Sequence, residues 1–154
     1  MKRLIINFFQ KIFFKKIDIE ENIDSIHVNK IFKNIIKNNT LLYKFYLDCY
    51  KIFKKNISIK NNLNIKILEI GSGPGFIKKV IPNTITSEII SMEDIDIQSD
   101  ATNLNFLNNS LDAILLLNVF HHISDPEKFL LECKRVLKKN GKILMIEPAN
   151  TWFS

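Results

Sequence analysis

A glycine cluster that directly follows an apolar run constrains the fold of this chain more than any other feature. Residues 65–70 have the sequence IKILEI, and such a short run rich in β-branched residues is typical of a strand. Residues 71–75 follow as GSGPG, with a glycine at every second position. Glycine permits positive φ and lets a ligand approach the backbone closely. The pattern predicts a strand, then a ligand-binding loop, then a helix.

The spacing of these glycines limits the kind of ligand. A dinucleotide-binding loop has the form G-x-G-x-x-G, which would place the third glycine at position 76. That residue is Phe76, and the glycine comes one position earlier, at Gly75. No lysine follows that would suit a P-loop. The form E-x-G-x-G-x-G therefore disfavours pyrophosphate and leaves a ligand with a nucleoside and a small charged tail.

Strand and helix patterns alternate through the rest of the chain. Further strands are predicted at residues 84–87, 95–97, 113–117 and 142–147, and helices at residues 27–37 and 40–55. Thr40 is predicted to cap the second helix. A third helix is predicted to start within residues 124–127, with a capping residue followed by Pro126 in the first turn, and to end at Asn140 and Gly141. Such alternation predicts an α/β fold with a parallel sheet.

Length and composition bound the class of protein. A chain of 154 residues that is 46% hydrophobic can form one globular domain with a core. It has no apolar run approaching the roughly 20 residues that span a bilayer. Its two cysteines, Cys49 and Cys133, are far apart, which fits a reducing, cytoplasmic location. No metal site is predicted, because no set of ligands has suitable spacing.

The positive charge lies in the first part of the chain. Residues 1–64 hold 13 Lys and Arg against 5 Asp and Glu, whereas residues 65–154 hold 9 against 11. Because 20 of the basic residues are lysine and only 2 are arginine, compositional bias explains the charge better than nucleic-acid binding does. Residues 1–17 are basic and apolar at helical spacing. They predict a helix that packs on its own domain or, as the alternative, lies on a membrane surface.

Together with four later segments, the glycine loop resembles the class I S-adenosylmethionine-dependent methyltransferases, and in particular the type 11 group. The resemblance covers about residues 65–150. It departs from the family pattern where Asn105 replaces a proline and Asn140 replaces a glycine. The segments that carry it lie at residues 69–75, 100–106, 110–114, 120–126 and 132–141.

The resemblance implies a Rossmann-like parallel sheet of about five strands with flanking helices. It also implies an N-terminal helical extension or cap at residues 1–60 and a cofactor-binding core at residues 61–154. By this resemblance, the final antiparallel strand pair of the family is expected to be missing after the fifth strand. The fifth strand would then be an exposed edge, and a partner chain is one way to cover it.

In this family the cofactor is S-adenosyl-L-methionine, and the resemblance assigns its contacts residue by residue. The three glycines approach the methionine tail, and Glu69 orders the loop or reaches the ammonium group. Glu88 binds the ribose hydroxyls, unless it is a surface charge, and Asp100 reads the adenine amino group, unless it only forms a turn. The predicted cofactor-binding residues are Glu69, Gly71, Ser72, Gly73, Gly75, Glu88, Asp100, Ala101 and Asn118.

His121 and His122 follow the predicted buried strand, where ligands bind in open α/β sheets. Either one is a candidate general base, and the alternative is a histidine that only packs or forms hydrogen bonds. The implied function is methyl transfer by in-line displacement to a small-molecule acceptor, with a lipid- or saccharide-type compound as one hypothesis for that acceptor. The alternative function is a truncated, non-catalytic cofactor-binding remnant or an interaction module.

Overall fold

The computed structural model describes residues 26–57, 65–73 and 76–148. The predicted amphipathic segment at residues 1–17 lies outside these ranges, and so does Gly75. Within the described ranges, no helix is both long enough and apolar enough to cross a membrane.

Five parallel strands form one sheet in the order β3-β2-β1-β4-β5. This arrangement confirms the predicted parallel α/β sheet. Because every strand runs in the same direction, the five carboxyl ends lie along one edge, where open α/β sheets bind ligands. The strands are β1 Ile67–Ile70, β2 Thr84–Glu88, β3 Ile97–Gln98, β4 Leu111–Leu117 and β5 Leu137–Ile146.

Helices cover both faces of the sheet. Helices α1 (Ile26–Asn38) and α2 (Thr40–Asn56) pack on one face, where Phe53 of α2 belongs to the same buried cluster as Leu115 of β4. Helix α3 (Pro126–Val136) packs on the other face, where its Phe129 is buried with the alternate residues of β4. Strand β4 is thus buried on both sides, as its continuous apolar run predicts.

The helix ends differ from the predictions in two places. Asn39 rather than Thr40 caps α2, because the Asn39 side chain accepts a hydrogen bond from the Leu42 amide at 3.0 Å. Helix α3 begins as predicted, with Asp125 as the cap and Pro126 in the first turn. It ends at Val136, earlier than predicted, because Leu137 already pairs with β4.

The helix predicted after the glycine loop is absent from the described residues, so this prediction was wrong. Only a 3₁₀ turn, Ile77–Lys79, lies between the loop and β2. The connection from Ile70 to Thr84 is short, and the glycine loop and the turns beyond the 3₁₀ turn use most of it. These turns leave no uninterrupted stretch of the connection for a full helix.

Candidate cofactor and acceptor site

Polar side chains and the glycine loop lie where the strands end, along the carboxyl edge of the sheet. Gly71 follows β1, Glu88 ends β2, Asn118 follows β4 and Glu147 follows β5. Asp100 comes two residues after β3, at the far side of the same edge. The topology therefore gathers at one edge the described residues that the sequence predicts as cofactor-binding, together with one that it does not, Glu147.

The two described glycines of the loop are required for different reasons. Gly71 has a φ of +64°, and a Cβ at this position would lie 2.6 Å from Val119 Cγ2. Gly73 has a φ of +45°, but a Cβ there would meet no atom closer than 3.9 Å. Positive φ disfavours any side chain at either position. At Gly71 the close approach of the segment after β4 adds a steric requirement.

The Glu88 carboxylate contacts the glycine loop directly. The Gly73 amide donates a 2.7 Å hydrogen bond to Glu88 Oε1, and the Ile89 amide donates one to Oε2 at 3.2 Å. The glutamate predicted to bind ribose is therefore held at the end of β2 beside the loop. Glu88 is half-buried there, and binding of the ribose hydroxyls by its carboxylate stays a prediction.

Ser72 is buried and fastens the loop to the neighbouring strands. Its amide donates to the Ser87 carbonyl at 2.9 Å, and its hydroxyl accepts from the Ser87 amide at 3.1 Å. The Ser87 hydroxyl in turn donates to the Glu69 carbonyl at 2.8 Å. The Ser72 hydroxyl is therefore used inside the protein, and its geometry gives no support to the predicted contact with the cofactor.

Glu69 is a carboxyl group buried under the loop. It is 1% exposed, and its Oε2 has no hydrogen-bond partner among the described residues. Burial raises the pKa of Glu69 to about 8, although hydrogen bonds from Ser72 and Tyr50 act in the opposite direction. A buried acceptor without a partner costs free energy. Glu69 is thus suited to a cationic group that enters from the ligand.

Tyrosines from α2 reach the same region. The Tyr46 hydroxyl is hydrogen-bonded to the Asn118 side chain, and burial raises the pKa of Tyr46 to about 12. The Tyr43 ring meets the Phe76 ring edge-on, with centroids 5.0 Å apart. With Tyr50 they form a stripe at i, i+3 and i+7. Sequence analysis missed their role, although this spacing places three hydroxyls on one face of the helix.

Asn118 is held in an unusual backbone conformation at the end of β4. Its φ is +59°, and its amide donates to the Ile146 carbonyl at 2.9 Å. Asparagine tolerates this conformation better than most residues. Its contact with Tyr46 ties β4 to helix α2, and a contact between Asn118 and the cofactor stays a prediction.

Asp100 forms a turn in this structure. Its Oδ1 accepts from the Thr102 amide at 2.7 Å and from the Thr102 hydroxyl at 2.9 Å. The alternative role as a turn-forming residue is therefore present, and an adenine contact stays a prediction. The half-buried Ala101 follows and packs against the core beneath α3. Ser99, just before Asp100, has a buried hydroxyl with no partner among the described residues, and sequence analysis missed it.

Arg135 of α3 holds the loop that follows Asp100. Its guanidinium donates to the carbonyls of Leu104 and Phe106, each at 2.8 Å. Glu132 pairs with Arg135 and also accepts from the Leu104 amide at 2.9 Å. The planar fork of arginine suits such multiple contacts. The arrangement fixes the loop against α3.

A histidine–carboxylate pair lies at the other end of the edge. His121 Nδ1 is 2.6 Å from Glu147 Oε2, and Glu147 Oε1 accepts from the amides of Val119 and Phe120 at 3.0 and 2.9 Å. A carboxylate only accepts hydrogen bonds, so the proton lies on Nδ1 and Nε2 is left as the basic nitrogen. The His122 ring lies 4.0 Å from the His121 ring, centroid to centroid. Sequence analysis missed Glu147.

Comparison with known proteins agrees with this architecture. A parallel sheet that gathers a glycine loop, an acidic strand end and a histidine at its carboxyl edge has the Rossmann-like arrangement of a nucleoside-binding enzyme. A methyltransferase from Methanococcus maripaludis described as S-adenosyl-L-methionine-dependent has the same fold. It aligns with a TM-score of 0.64 and 18% identity over 85% of this chain and 67% of that one. A second such structure, from Thermotoga maritima, has a TM-score of 0.60 and 25% identity over 79% of this chain and 60% of that one.

The family model described as methyltransferase domain matches residues 68–145. A demethylmenaquinone methyltransferase from Thermotoga maritima is 44% identical over 57 residues, which make up 36% of this chain and 25% of that protein. A highly reducing polyketide synthase from Pyrenophora dematioidea is 26% identical over 121 residues, 59% of this chain and 5% of that protein. The chain spans a quarter or less of the length of these two relatives. It belongs to the methyltransferase domain family, with the class I fold and S-adenosylmethionine as the cofactor of that fold.

The residues present fit this cofactor. Glu69 Oε2, which has no partner in the described part of the chain, suits an ammonium group, and glycine is the only residue that the loop geometry admits at position 71. The helix that the sequence predicts after the loop is absent from the described residues, and a 3₁₀ turn of three residues offers no helix N-terminus to bind the carboxylate of the methionine tail. The fit therefore depends on Glu69, Glu88 and the loop backbone.

Proposed function

We propose that this chain transfers a methyl group from S-adenosylmethionine to a small-molecule acceptor that must lose a proton. The observation that supports this proposal most strongly is the contact between His121 and Glu147 at the carboxyl edge of the sheet, 2.6 Å long. When bound, the cofactor supplies a methyl group on a sulfonium, which is already activated for transfer. The protein then has to bind the cofactor, align the acceptor with the methyl group and remove a proton from the acceptor.

Binding falls to the loop and its neighbours. In this proposal Glu69 accepts from the ammonium group, Glu88 accepts from the ribose hydroxyls, and the backbone at Gly71 and Gly73 lines the methionine tail. Asp100 and Ala101 lie at the adenine side of the edge. Alignment of the acceptor behind the methyl group supplies much of the rate, since good orientation is worth roughly 7–11 kcal/mol.

Deprotonation falls to His121. Glu147 holds Nδ1 and stabilises the imidazolium that forms when Nε2 takes a proton from the acceptor. Two backbone amides fix Glu147 in turn, so the pair is oriented before the acceptor arrives. The His122 ring contacts the His121 ring at a tilt of 46°, and His122 is the second candidate for the base. An acceptor with a hydroxyl or an acidic C–H group requires such a base, whereas a free amine does not.

We expect His121→Ala to lower the rate of methyl transfer by about 10²–10⁴-fold, with little change in affinity for S-adenosylhomocysteine. Glu147→Gln is expected to give a smaller loss, because a base remains but its orientation and charge support do not. Single-turnover transfer from radiolabelled cofactor to a panel of phenols, hydroxy acids and carbon acids measures the rate.

His122→Ala is the matched control, since it removes the neighbouring ring and leaves the His121–Glu147 contact intact. If His122→Ala lowered the rate of methyl transfer and His121→Ala did not, His122 and not His121 would be the base. If His121→Ala, Glu147→Gln and His122→Ala all transferred the methyl group as fast as the wild type, proton abstraction by either histidine would be contradicted.

A non-catalytic cofactor-binding or interaction module is the second candidate function. The 3₁₀ turn in place of a full helix after the glycine loop favours it, because part of the usual support of the cofactor is reduced. In that case S-adenosylhomocysteine would bind, but no acceptor would be methylated under the same conditions. Binding and transfer measured on one preparation separate the two functions.

The edge strand β5 and the two cysteines bear on a partner chain and on the location of the protein. β5 lies at one edge of the described sheet, and its Met145 is exposed, so a partner chain that covers this edge is proposed. The two free, buried cysteines are compatible with a reducing cytoplasm, which stays the proposed location.

A further inference from the structure

Helix α2 presents an apolar stripe to solvent on the side away from the sheet. Leu41 is 72% exposed, Phe45 51% and Ile52 53%. At about 100° per residue these three side chains lie within roughly 40° of one another around the helix, and the stripe is about 16 Å long. Side chains of this size that line up along one exposed face mark an interaction surface more often than single exposed residues do.

The stripe has a basic border. Three exposed lysines lie along one side of the stripe, on the part of the helix that faces away from the sheet: Lys44, Lys51 and Lys55. Residues 26–57 contain seven lysines and one acid, Asp48, which is paired with Lys51 at 2.8 Å. A partner for this surface must therefore be apolar at its centre and anionic at its rim.

The stripe extends to the level of the candidate site. Leu41 and Phe45 belong to the same two turns as Tyr43 and Tyr46, which contact Phe76 and Asn118. One face of these turns therefore contacts the candidate site, and the opposite face forms part of the exposed stripe. A surface bound to the stripe would lie next to the end of the sheet at which the glycine loop opens.

We propose that the outer face of α2 docks on an anionic phospholipid surface, with Leu41, Phe45 and Ile52 in the interface and the three lysines among the headgroups. Lysine stems lie along apolar surface while their ammonium groups reach phosphate, which is the geometry of an interfacial helix. Nucleic acid would leave the apolar stripe without a partner. A second copy of this face would bring lysine against lysine. Charge complementarity favours anionic lipid over both.

The test is co-sedimentation of the full chain with vesicles of phosphatidylcholine alone and of phosphatidylcholine mixed with phosphatidylglycerol. We expect partition into the anionic vesicles only, and a fall in partition as salt is added. Phe45→Ser combined with Ile52→Ser should weaken the partition by about tenfold or more, because two large apolar side chains leave the interface. The paired change Lys44→Gln and Lys55→Gln should weaken partition and reduce its dependence on salt.

Leu107→Ser combined with Leu131→Ser is the matched control, since both leucines are exposed but lie away from α2. It should partition as the wild type does. Folded wild type that ignores anionic vesicles would overturn the proposal. Stripe variants that partition like the wild type would also overturn it, because residues 1–17 or another surface would then carry the binding. So would a control variant that loses as much partition as the stripe variants do. Affinity for S-adenosylhomocysteine, measured on the same variants, should stay unchanged, and it separates this proposal from the proposed function.

Discussion

Replacing Glu69 with glutamine is expected to abolish most of the fall in stability that the ligand-free wild type shows between pH 5 and pH 8. The pKa of Glu69 rises from 4.5 to about 8 in the folded protein, chiefly because the carboxyl group is fully buried. Below the lower value both folded and unfolded states hold the proton. Between the two values the unfolded state ionises and the folded state does not, so stability falls as pH rises.

The size of this effect follows from the separation of the two pKa values. Each unit corresponds to about 1.4 kcal/mol, so the whole loss is on the order of 3–5 kcal/mol. That is a large part of the stability of a domain of this size. Glutamine keeps the shape of the neutral carboxyl group and cannot ionise. Urea unfolding at pH 5, 6.5 and 8 should give a steep fall for the wild type and a shallow one for Glu69→Gln.

Three other carboxyl groups with shifted pKa values do not change the stability between pH 5 and pH 8. Burial acts to raise the pKa values of Asp96 and Asp112, but hydrogen bonds, including those from lysine, hold both below their ordinary values, and a hydrogen bond from arginine lowers the pKa of Glu132. Their stabilising contribution is present above the unfolded pKa and is lost only as pH falls through the lower, folded value. Asp112→Asn therefore serves as a control that should leave the slope between pH 5 and 8 unchanged. Equal slopes for the wild type and Glu69→Gln would contradict a buried, protonated Glu69.

Gly71→Ala is expected to destabilise the protein by about 2–5 kcal/mol and to abolish cofactor binding at the edge of the sheet. A φ of +64° costs a residue with a side chain roughly 1–2 kcal/mol, and overpacking adds about 1–3 kcal/mol. The added methyl would lie 2.6 Å from Val119 Cγ2, so either the loop or the segment after β4 must move. Thermal unfolding and titration with S-adenosylhomocysteine measure the two effects.

The chain offers a matched control and a rescue for this change. Gly73→Ala also meets a positive φ, but its Cβ would make only ordinary van der Waals contacts, so it should cost only about 1–2 kcal/mol. Val119→Ala combined with Gly71→Ala removes the clash and should recover stability relative to the sum of the two single changes. If Gly71→Ala were no worse than Gly73→Ala, the packing of Val119 against the loop would not be what requires glycine here.

The sequence predicted the sheet well because its strands are short, apolar and separated by clear turn residues. The continuous apolar run of β4 and the helix start at residues 124–127 depend on local chemistry, and both predictions were correct. The helix after the glycine loop was wrong because the glycine motif says nothing about how much chain is left for a helix before β2. The cap at Asn39 was missed because Asn39 and Thr40 are both good capping residues and only geometry distinguishes them.

The site was predictable where it follows strand order and not where it depends on packing. Gly71 and Glu88 follow from the motif and its spacing, and the Gly73–Glu88 hydrogen bond agrees with their placement side by side. Glu147 lies 26 residues from His121, on the next strand, and nothing in the local sequence pairs them. The contact between Tyr50 and Glu69 likewise joins α2 to β1 through tertiary packing alone.

Titration of the purified chain with S-adenosylhomocysteine in a calorimeter, alongside Glu88→Ala and Asp100→Ala, tests the central claim most directly. Glu93→Ala is the matched control, because Glu93 is an exposed acid between β2 and β3. We predict one binding site in the wild type and unchanged affinity in Glu93→Ala. In Glu88→Ala and Asp100→Ala we predict affinity at least about tenfold lower, because each change removes one of the hydrogen bonds that we propose to the ligand. Folded wild type that does not bind, or Glu88→Ala that binds as tightly as the wild type, would contradict a cofactor site at the carboxyl edge of this sheet.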